Sequence, residues 1–139
     1  MDARGFTLIE LIVVLAVMSL LIASVPIVMS GGLAGLELKA AARDVADTLR
    51  HARGRAIARN DEITFSVDDR SGRYGLGQGQ REGVLGEGME VTMRPESMAG
   101  EIRFYPDGGS TGGQITISRN EQRYDVRVDW LTGQVTIED

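Results

Sequence analysis

Gly5-Phe6-Thr7-Leu8-Ile9-Glu10-Leu11 sets one carboxylate at the mouth of an otherwise uncharged apolar run that reaches Met29. An ionised side chain entering lipid is costly, so it marks a functional position that needs a partner. The nineteen residues from Leu11 to Met29 carry no formal charge. At about 1.5 Å rise each, a helix of them spans about 28 Å, enough to cross a bilayer core. Ser19, Ser24 and Pro26 are its irregular positions; serine hydroxyls bond back to a helix, and proline kinks a membrane helix without forbidding it. A secretory signal would have a shorter apolar core ending in a small-x-small cleavage site, of which Ala23-Ser24-Val25-Pro26 is a poor version.

About 110 residues follow the span, one domain of common size. Mean hydropathy is near neutral only because an extremely apolar N-terminus is averaged with a polar, charged, glycine-rich remainder. Eighteen glycines against three prolines favour tight turns and short strands. There is no cysteine, so no disulfide staples the fold. A net charge of -5 argues against generic affinity for nucleic acid. Arg4, the sole base before the span, is opposed by Asp2, so loop charge says little about orientation.

Gly31-Gly32-Leu33-Ala34-Gly35 reads as a hinge, since glycine in a helix interior costs about 1 kcal/mol against alanine. Beyond it Leu38, Ala42, Val45, Leu49, Ala52 and Ala56 recur at three- and four-residue steps, which predicts an amphipathic helix to about Arg59. Its small apolar face suits close packing on a sheet. From residue 62 the pattern shortens to strand candidates at Glu62–Val67, Arg73–Leu76, Met89–Met93, Ile102–Tyr105, Gln114–Ser118, Tyr124–Trp130 and Val135–Ile137, with turn residues between them. The glycine-rich stretch Gly77 to Gly88 reads as a mobile loop. Short connections imply antiparallel neighbours, so the fold class is α+β, a long N-terminal helix against antiparallel sheet.

The Gly5-to-Glu10 sequence resembles the processing site of type IV pilins and type II secretion pseudopilins and matches their Gly-Phe-Thr-Leu-x-Glu motif without a departure. The resemblance implies a pilin-like fold in four parts: a prepilin leader (1–5), a transmembrane and filament-core helix (6–29), a hinge and amphipathic helix (30–59), and an antiparallel β domain (60–139). A prepilin peptidase would cut after Gly5 and methylate the new terminus at Phe6, with Thr7, Leu8 and Glu10 serving assembly. The new amine at Phe6 would be cationic, and opposite charges within about 4 to 6 Å stabilise each other most where water is scarce. In the family, the partner of the Glu10 carboxylate is the Phe6 amine of a neighbouring subunit.

Phe104-Tyr105-Pro106-Asp107-Gly108-Gly109-Ser110-Thr111-Gly112-Gly113 resembles the C-terminal signature of the minor pseudopilin H and FimT-like group. A phosphate-cradling loop is the competing reading, but no Lys-Ser/Thr pair closes it and a β-like run follows it. A structural turn is expected, with Phe104 inward, Asp107 capping, and Gly108, Gly109, Gly112 and Gly113 at positive φ. The resemblance implies a non-enzymatic minor pseudopilin at or near the tip of the type II secretion pseudopilus, supporting export of folded proteins across the outer membrane. Its partners would be other pseudopilins in the filament, the peptidase and an inner-membrane assembly platform. It would sit first in the bacterial inner membrane as a single pass, N-terminus cytoplasmic and C-terminal domain periplasmic, and then in the periplasmic filament.

Other chemistry has little to stand on. His51 is the only histidine and lies among Arg50, Arg53 and Arg55; with no cysteine beside it, zinc lacks its donors. Asp68 and Asp69 near a glycine suggest calcium, but the calcium-loop spacing is missing and a solvated turn accounts for them. Neither a metal nor a cofactor is expected. Ser110, His51 and Asp107 are triad residue types that nothing in the sequence brings together, and a membrane-anchored enzyme would need a convergent polar set. Residues 39–59 hold six bases against two acids, while 60–139 hold eight arginines against fifteen acids. The simplest expectation is attraction between the two parts, or to a neighbouring subunit. The main rival is a FimT/FimU-like minor pilin of a type IV pilus, with the helix arginines binding DNA; the acidic end Glu138-Asp139 opposes phosphate.

Overall fold

Helix α1 runs Leu8–Arg59, and its helical pattern continues across Gly31–Gly35, where the sequence favoured loosening. The computed structural model describes residues 7–77, 80–98 and 100–139, and the side chains of 23–33 and 80–81 also fall outside the described set. By internal contacts the chain divides into two units, residues 1–34 and 35–139.

In the first unit the described side chains from Leu8 to Ile22 are exposed on every side of the helix. Among the described residues no helix is long and apolar enough to cross a membrane. The run from Leu11 to Met29 continues beyond Ile22 into side chains outside that set.

In the second unit the predicted stripe is the buried one: Leu38, Ala42, Val45, Leu49, Ala52 and Ala56 are at most 1% exposed, and Ala46 joins them. Four alanines on this face keep it low, so that sheet side chains approach the helix backbone. The helix ends at the predicted residue because Asn60 adopts φ 53°. Asp61 N donates to Ala56 O at 3.2 Å and Asn60 N to Ile57 O at 3.4 Å, the paired bonds that close a helix C-terminus with a left-handed residue.

Among the described residues eight strands follow: β1 Ile63–Asp68, β2 Arg73–Leu76, β3 Gln80–Val84, β4 Glu90–Pro95, β5 Ile102–Phe104, β6 Gly113–Arg119, β7 Gln122–Val128 and β8 Val135–Glu138. They form two four-stranded sheets, ordered β3-β2-β1-β5 and β4-β6-β7-β8, with every pairing antiparallel. Inward residues alternate along the strands. Phe65, Leu76, Ile102 and Phe104 from the first sheet, and Val91, Ile115, Ile117, Val126 and Val128 from the second, join the helix stripe in one core.

Two expectations need correction. The stretch Gly77 to Gly88 is not all loop, because Gln80–Val84 pairs with β2 as an edge strand, with a register shift at Gly75/Leu76. Its pairing comes from the ladder rather than from residue preference, and Gly83 is required because a Cβ there would run into the Tyr74 ring. The strand expected at Tyr124–Trp130 lies two residues earlier, at Gln122–Val128, since Asp129 caps a turn and takes Trp130 out of the ladder.

The expected attraction between the basic helix and the acidic β region also takes a different form. Among the described residues no ion pair joins a base of Lys39–Arg59 to an acid of residues 60–139. Arg50 instead pairs with Asp47 at 2.8 Å on its own helix and donates to Val135 O at 3.2 Å. The ion pair that bridges helix and sheet has the opposite polarity, Glu37 on the helix to Arg119 on β6 at 2.6 Å.

Candidate functional site

Gly5 and Phe6 lie outside the described residues, so the N-terminal motif is seen from Thr7 onward. Thr7 O accepts from Glu10 N at 3.1 Å and Leu11 N at 3.3 Å, and its Oγ1 accepts from Glu10 N at 3.4 Å. Thr7 thus begins the helix as a capping residue, meeting donors that have no partner inside it. Leu8, exposed by 78%, follows as its first residue. Glu10 in that first turn is exposed and, among the described residues, belongs to no ion pair. A helix apolar on all sides requires apolar surroundings, and within such surroundings a carboxylate requires a cation.

The second motif carries the chain from one sheet to the other, leaving β5 at Phe104 and entering β6 at Gly113. Phe104 is fully buried. Asp107 Oδ1 accepts from Gly109 N at 2.9 Å, and the turn closes through Gly108 N to Tyr105 O and Tyr105 N to Gly109 O, both 3.0 Å. Gly108, Gly112 and Gly113 have φ of 90°, 72° and 153°. Gly109 does not share this backbone; it is confined instead by Asp107 Oδ1 and Leu131 O, 3.2 and 3.3 Å from where a Cβ would stand.

Ser110, 6% exposed, anchors this turn to the one after β7. Its N–H donates to Trp130 O at 2.9 Å, its hydroxyl donates to Asp129 O at 2.9 Å, and Gly112 N donates to that hydroxyl at 3.0 Å. The hydroxyl is therefore committed, and no hydrogen bond joins it to His51 or to the Asp107 carboxylate among the described residues. The turn after β7 is capped by Asp129, whose Oδ1 accepts from Thr132 N and Oγ1 at 2.8 Å and from Leu131 N at 3.1 Å. The Thr132 N–H, then its hydroxyl, then the Leu131 N–H hold the Asp129 carboxyl below the usual carboxylate range.

Arg53 joins helix α1 to both turns, and nothing in the sequence singled it out from the other helix arginines. Its Nε donates to Gly108 O at 3.0 Å, and its side chain lies 3.0 Å from where a Cβ on Gly133 would stand. The acidic turn Asp68-Asp69-Arg70-Ser71-Gly72 is closed internally, with Asp68 accepting from Ser71 Oγ at 2.6 Å and Arg70 N at 3.0 Å. The Ser71 hydroxyl, above all, lowers the Asp68 carboxyl from its ordinary value.

A family model described as "Type II transport protein GspH" matches residues 41–133, covering the buried helix stripe from Ala42 onward and both turns. The chain belongs to the GspH family. A second profile, "Prokaryotic N-terminal methylation motif", matches residues 1–26. This GspH-family chain is 32% identical over 138 residues to the type II secretion system protein H of Xanthomonas campestris pv. campestris, spanning 95% of this chain and 81% of that protein. Among solved structures it resembles the minor pseudopilin EpsH of Vibrio cholerae, with a TM-score of 0.62 at 15% identity over 73% of this chain and 96% of that one. The type IV minor pilin FimU of Pseudomonas aeruginosa gives 0.60 at 17% identity over 74% and 89%. Those two likenesses establish the pilin-like fold and do not separate secretion from pilus. The family match and the Xanthomonas relative do, and they make this chain a minor pseudopilin of type II secretion.

Proposed function

We propose that this GspH-family subunit is made as a prepilin, cut after Gly5, N-methylated at Phe6, and built into the periplasmic pseudopilus near its tip. Residues 6–29 hold it in the inner membrane, N-terminus cytoplasmic, until an assembly platform extracts it, and residues 35–139 project from the filament. The supporting observation is Glu10, a carboxylate without an ion-pair partner among the described residues, set on a helix whose described neighbours are apolar and exposed. The amine of a neighbouring Phe6 supplies the missing cation, so that charge pairing sets which turn of one helix meets the next. Filament growth then supports movement of folded cargo through the outer membrane, with the energy supplied outside this subunit.

The subunit works without catalysis. Among the described residues the buried hydroxyl-bearing side chains are Thr48, Tyr74 and Ser110, and the Ser110 hydroxyl holds two turns together. A DNA-uptake role is not favoured: Arg50 and Arg53 each direct one guanidinium N–H to a carbonyl of their own domain, Val135 O and Gly108 O, and Glu138 and Asp139 add negative charge that opposes phosphate. Mass analysis of the protein isolated from its native host tests the maturation step. The expected N-terminus is N-methylated Phe6; an intact Met1, or a start at any other residue, would refute it.

A further inference from the structure

We propose that Ile57, Trp130 and Leu131 form the surface on which this subunit meets a pseudopilin of different sequence, one that joined the filament before it. The inference rests on the filament-subunit reading and names the surface and the kind of partner that reading leaves open.

The three residues come from distant parts of the chain, Ile57 from the last turn of helix α1 and Trp130 and Leu131 from the turn between β7 and β8. The glycine turn gathers them. Ile57 Cδ1 lies 3.5 Å from a Cβ built on Gly108, Trp130 Cβ 2.9 Å from one built on Gly112, and the Leu131 carbonyl 3.3 Å from one built on Gly109. Their side chains are 47%, 60% and 66% exposed. Together they offer an apolar patch on the order of 300 Å², a size at which such patches on single chains are often functional. The backbone beneath is already fixed: Ser110 N donates to Trp130 O and Ser110 Oγ to Asp129 O, both at 2.9 Å, and Asp129 Oδ1 accepts from Leu131 N at 3.1 Å. An exposed indole on such a turn costs little to order on binding, and tryptophan is enriched among the residues that dominate interfaces. The rim carries both signs, with Arg53 Nη2 3.3 Å from the Gly108 position, Glu96 Oε2 2.7 Å from the Gly112 position and Asp107 Oδ1 3.2 Å from the Gly109 position. Such a rim selects neither charge, so the apolar centre carries the contact.

Position, symmetry and area decide the occupant. Ile57 lies 22 residues after Gly35, so the patch stands about 33 Å along the helix from where the chain enters the 35–139 unit. Two copies meeting patch to patch would set their helices end to end in opposite directions, whereas the subunits of a filament point one way. A patch meeting a different surface of a second copy would propagate without closing, which a minor subunit does not do. A free-standing complex buries about 800 Å² per partner, well above this patch, so the occupant must also be held elsewhere, as helix packing in a filament holds it. Subunits extracted from the membrane join at the membrane end, so the end away from the entering chain meets a subunit already in place. The partner that fits is the periplasmic domain of a different pseudopilin, offering an apolar socket rather than a charged one.

The test places a photocrosslinking amino acid at Leu131 in the full-length chain, in its native host, and identifies the products by mass spectrometry. Irradiation should join that position to the periplasmic domain of another pseudopilin. Trp130→Ala should lower the yield at least about tenfold, the scale of losing a dominant interface residue, and Trp130→Phe should keep most of it. Because the indole is exposed, Trp130→Ala should leave the thermal midpoint and the amount of chain in the membrane unchanged. The same probe at Val84, 65% exposed on β3, supplies the comparison, and its products should not respond to Trp130→Ala. A Leu131 product with a second copy of this chain or with secreted cargo, no product at all, or a yield that falls equally at both positions or at neither would overturn the proposal. Where that happens in cells whose N-methylated chains still enter filaments, the contact fails and the filament reading stands. An uncut leader on the captured chain would instead remove the filament reading.

Discussion

Replacing Gly133 with alanine should destabilise the domain far more than the same change at Gly100, although both have the left-handed backbone that disfavours a side chain. Gly133 has φ 63° and Gly100 φ 73°, so each alanine carries a conformational cost of about 1–2 kcal/mol, partly offset by restriction of the unfolded chain. A Cβ at Gly100 meets nothing within 4 Å, and the net loss there is about 1 kcal/mol. At Gly133 it would drive into the Gly108 carbonyl oxygen and come within 3.0 Å of Arg53 Cδ and Nε. That oxygen accepts the Arg53 hydrogen bond, and Gly133 N donates to Asp129 O at 2.9 Å, so neither side can yield freely. Forced overpacking adds about 1–3 kcal/mol, for a total of about 3 kcal/mol. At about 4–8 °C per kcal/mol for a domain of this size, Gly100→Ala lowers Tm by about 4–8 °C and Gly133→Ala by about 12–24 °C. Thermal unfolding of the full chain in detergent, followed by near-ultraviolet circular dichroism, reads both. Equal shifts would refute the claim that the two turns and Arg53 are locked together by close approach.

Phe104→Ala removes a fully buried ring and should cost about 3–5 kcal/mol, read as a loss of protein in the cell and a low denaturation midpoint in urea. The Asp125 carboxyl is held below its ordinary value first by the Thr116 hydroxyl, at 2.6 Å. A lowered folded-state pKa means stability that is present above the unfolded value and lost as pH falls through the folded one. Thr116→Val should therefore move the Asp125 carboxyl titration, followed by NMR, to higher pH, and an unmoved titration would contradict that assignment.

The elements legible in the sequence were those whose cause is local. The stripe from Leu38 to Ala56 announced itself by period, and the burial of those residues follows from it. Phe104, Asp107 and the glycines after it carried their turn in residue type, although Gly109 is selected by crowding rather than by φ. What stayed hidden was non-local. Strand β3 lies in a glycine-rich stretch and gains its conformation from pairing with β2. The division of strands between two sheets, in which the chain leaves β4 of the second sheet, returns to the first for β5 and then comes back to pair β6 with β4, leaves no periodic trace. Charge totals suggested helix-to-sheet ion pairs, yet Arg50 and Arg53 reach carbonyl oxygens of the β region, which no charge count records.

At the centre of the account is a carboxylate that helps place one subunit against the next. The direct measurement is quantitative incorporation of Glu10→Ala and Glu10→Val into filaments in the native host, with membrane insertion and the Phe6 terminus checked in the same cells. Insertion and processing should be normal, with incorporation reduced at least about tenfold, the scale of losing a desolvated charge pair. Incorporation at the level of the unaltered protein would contradict it.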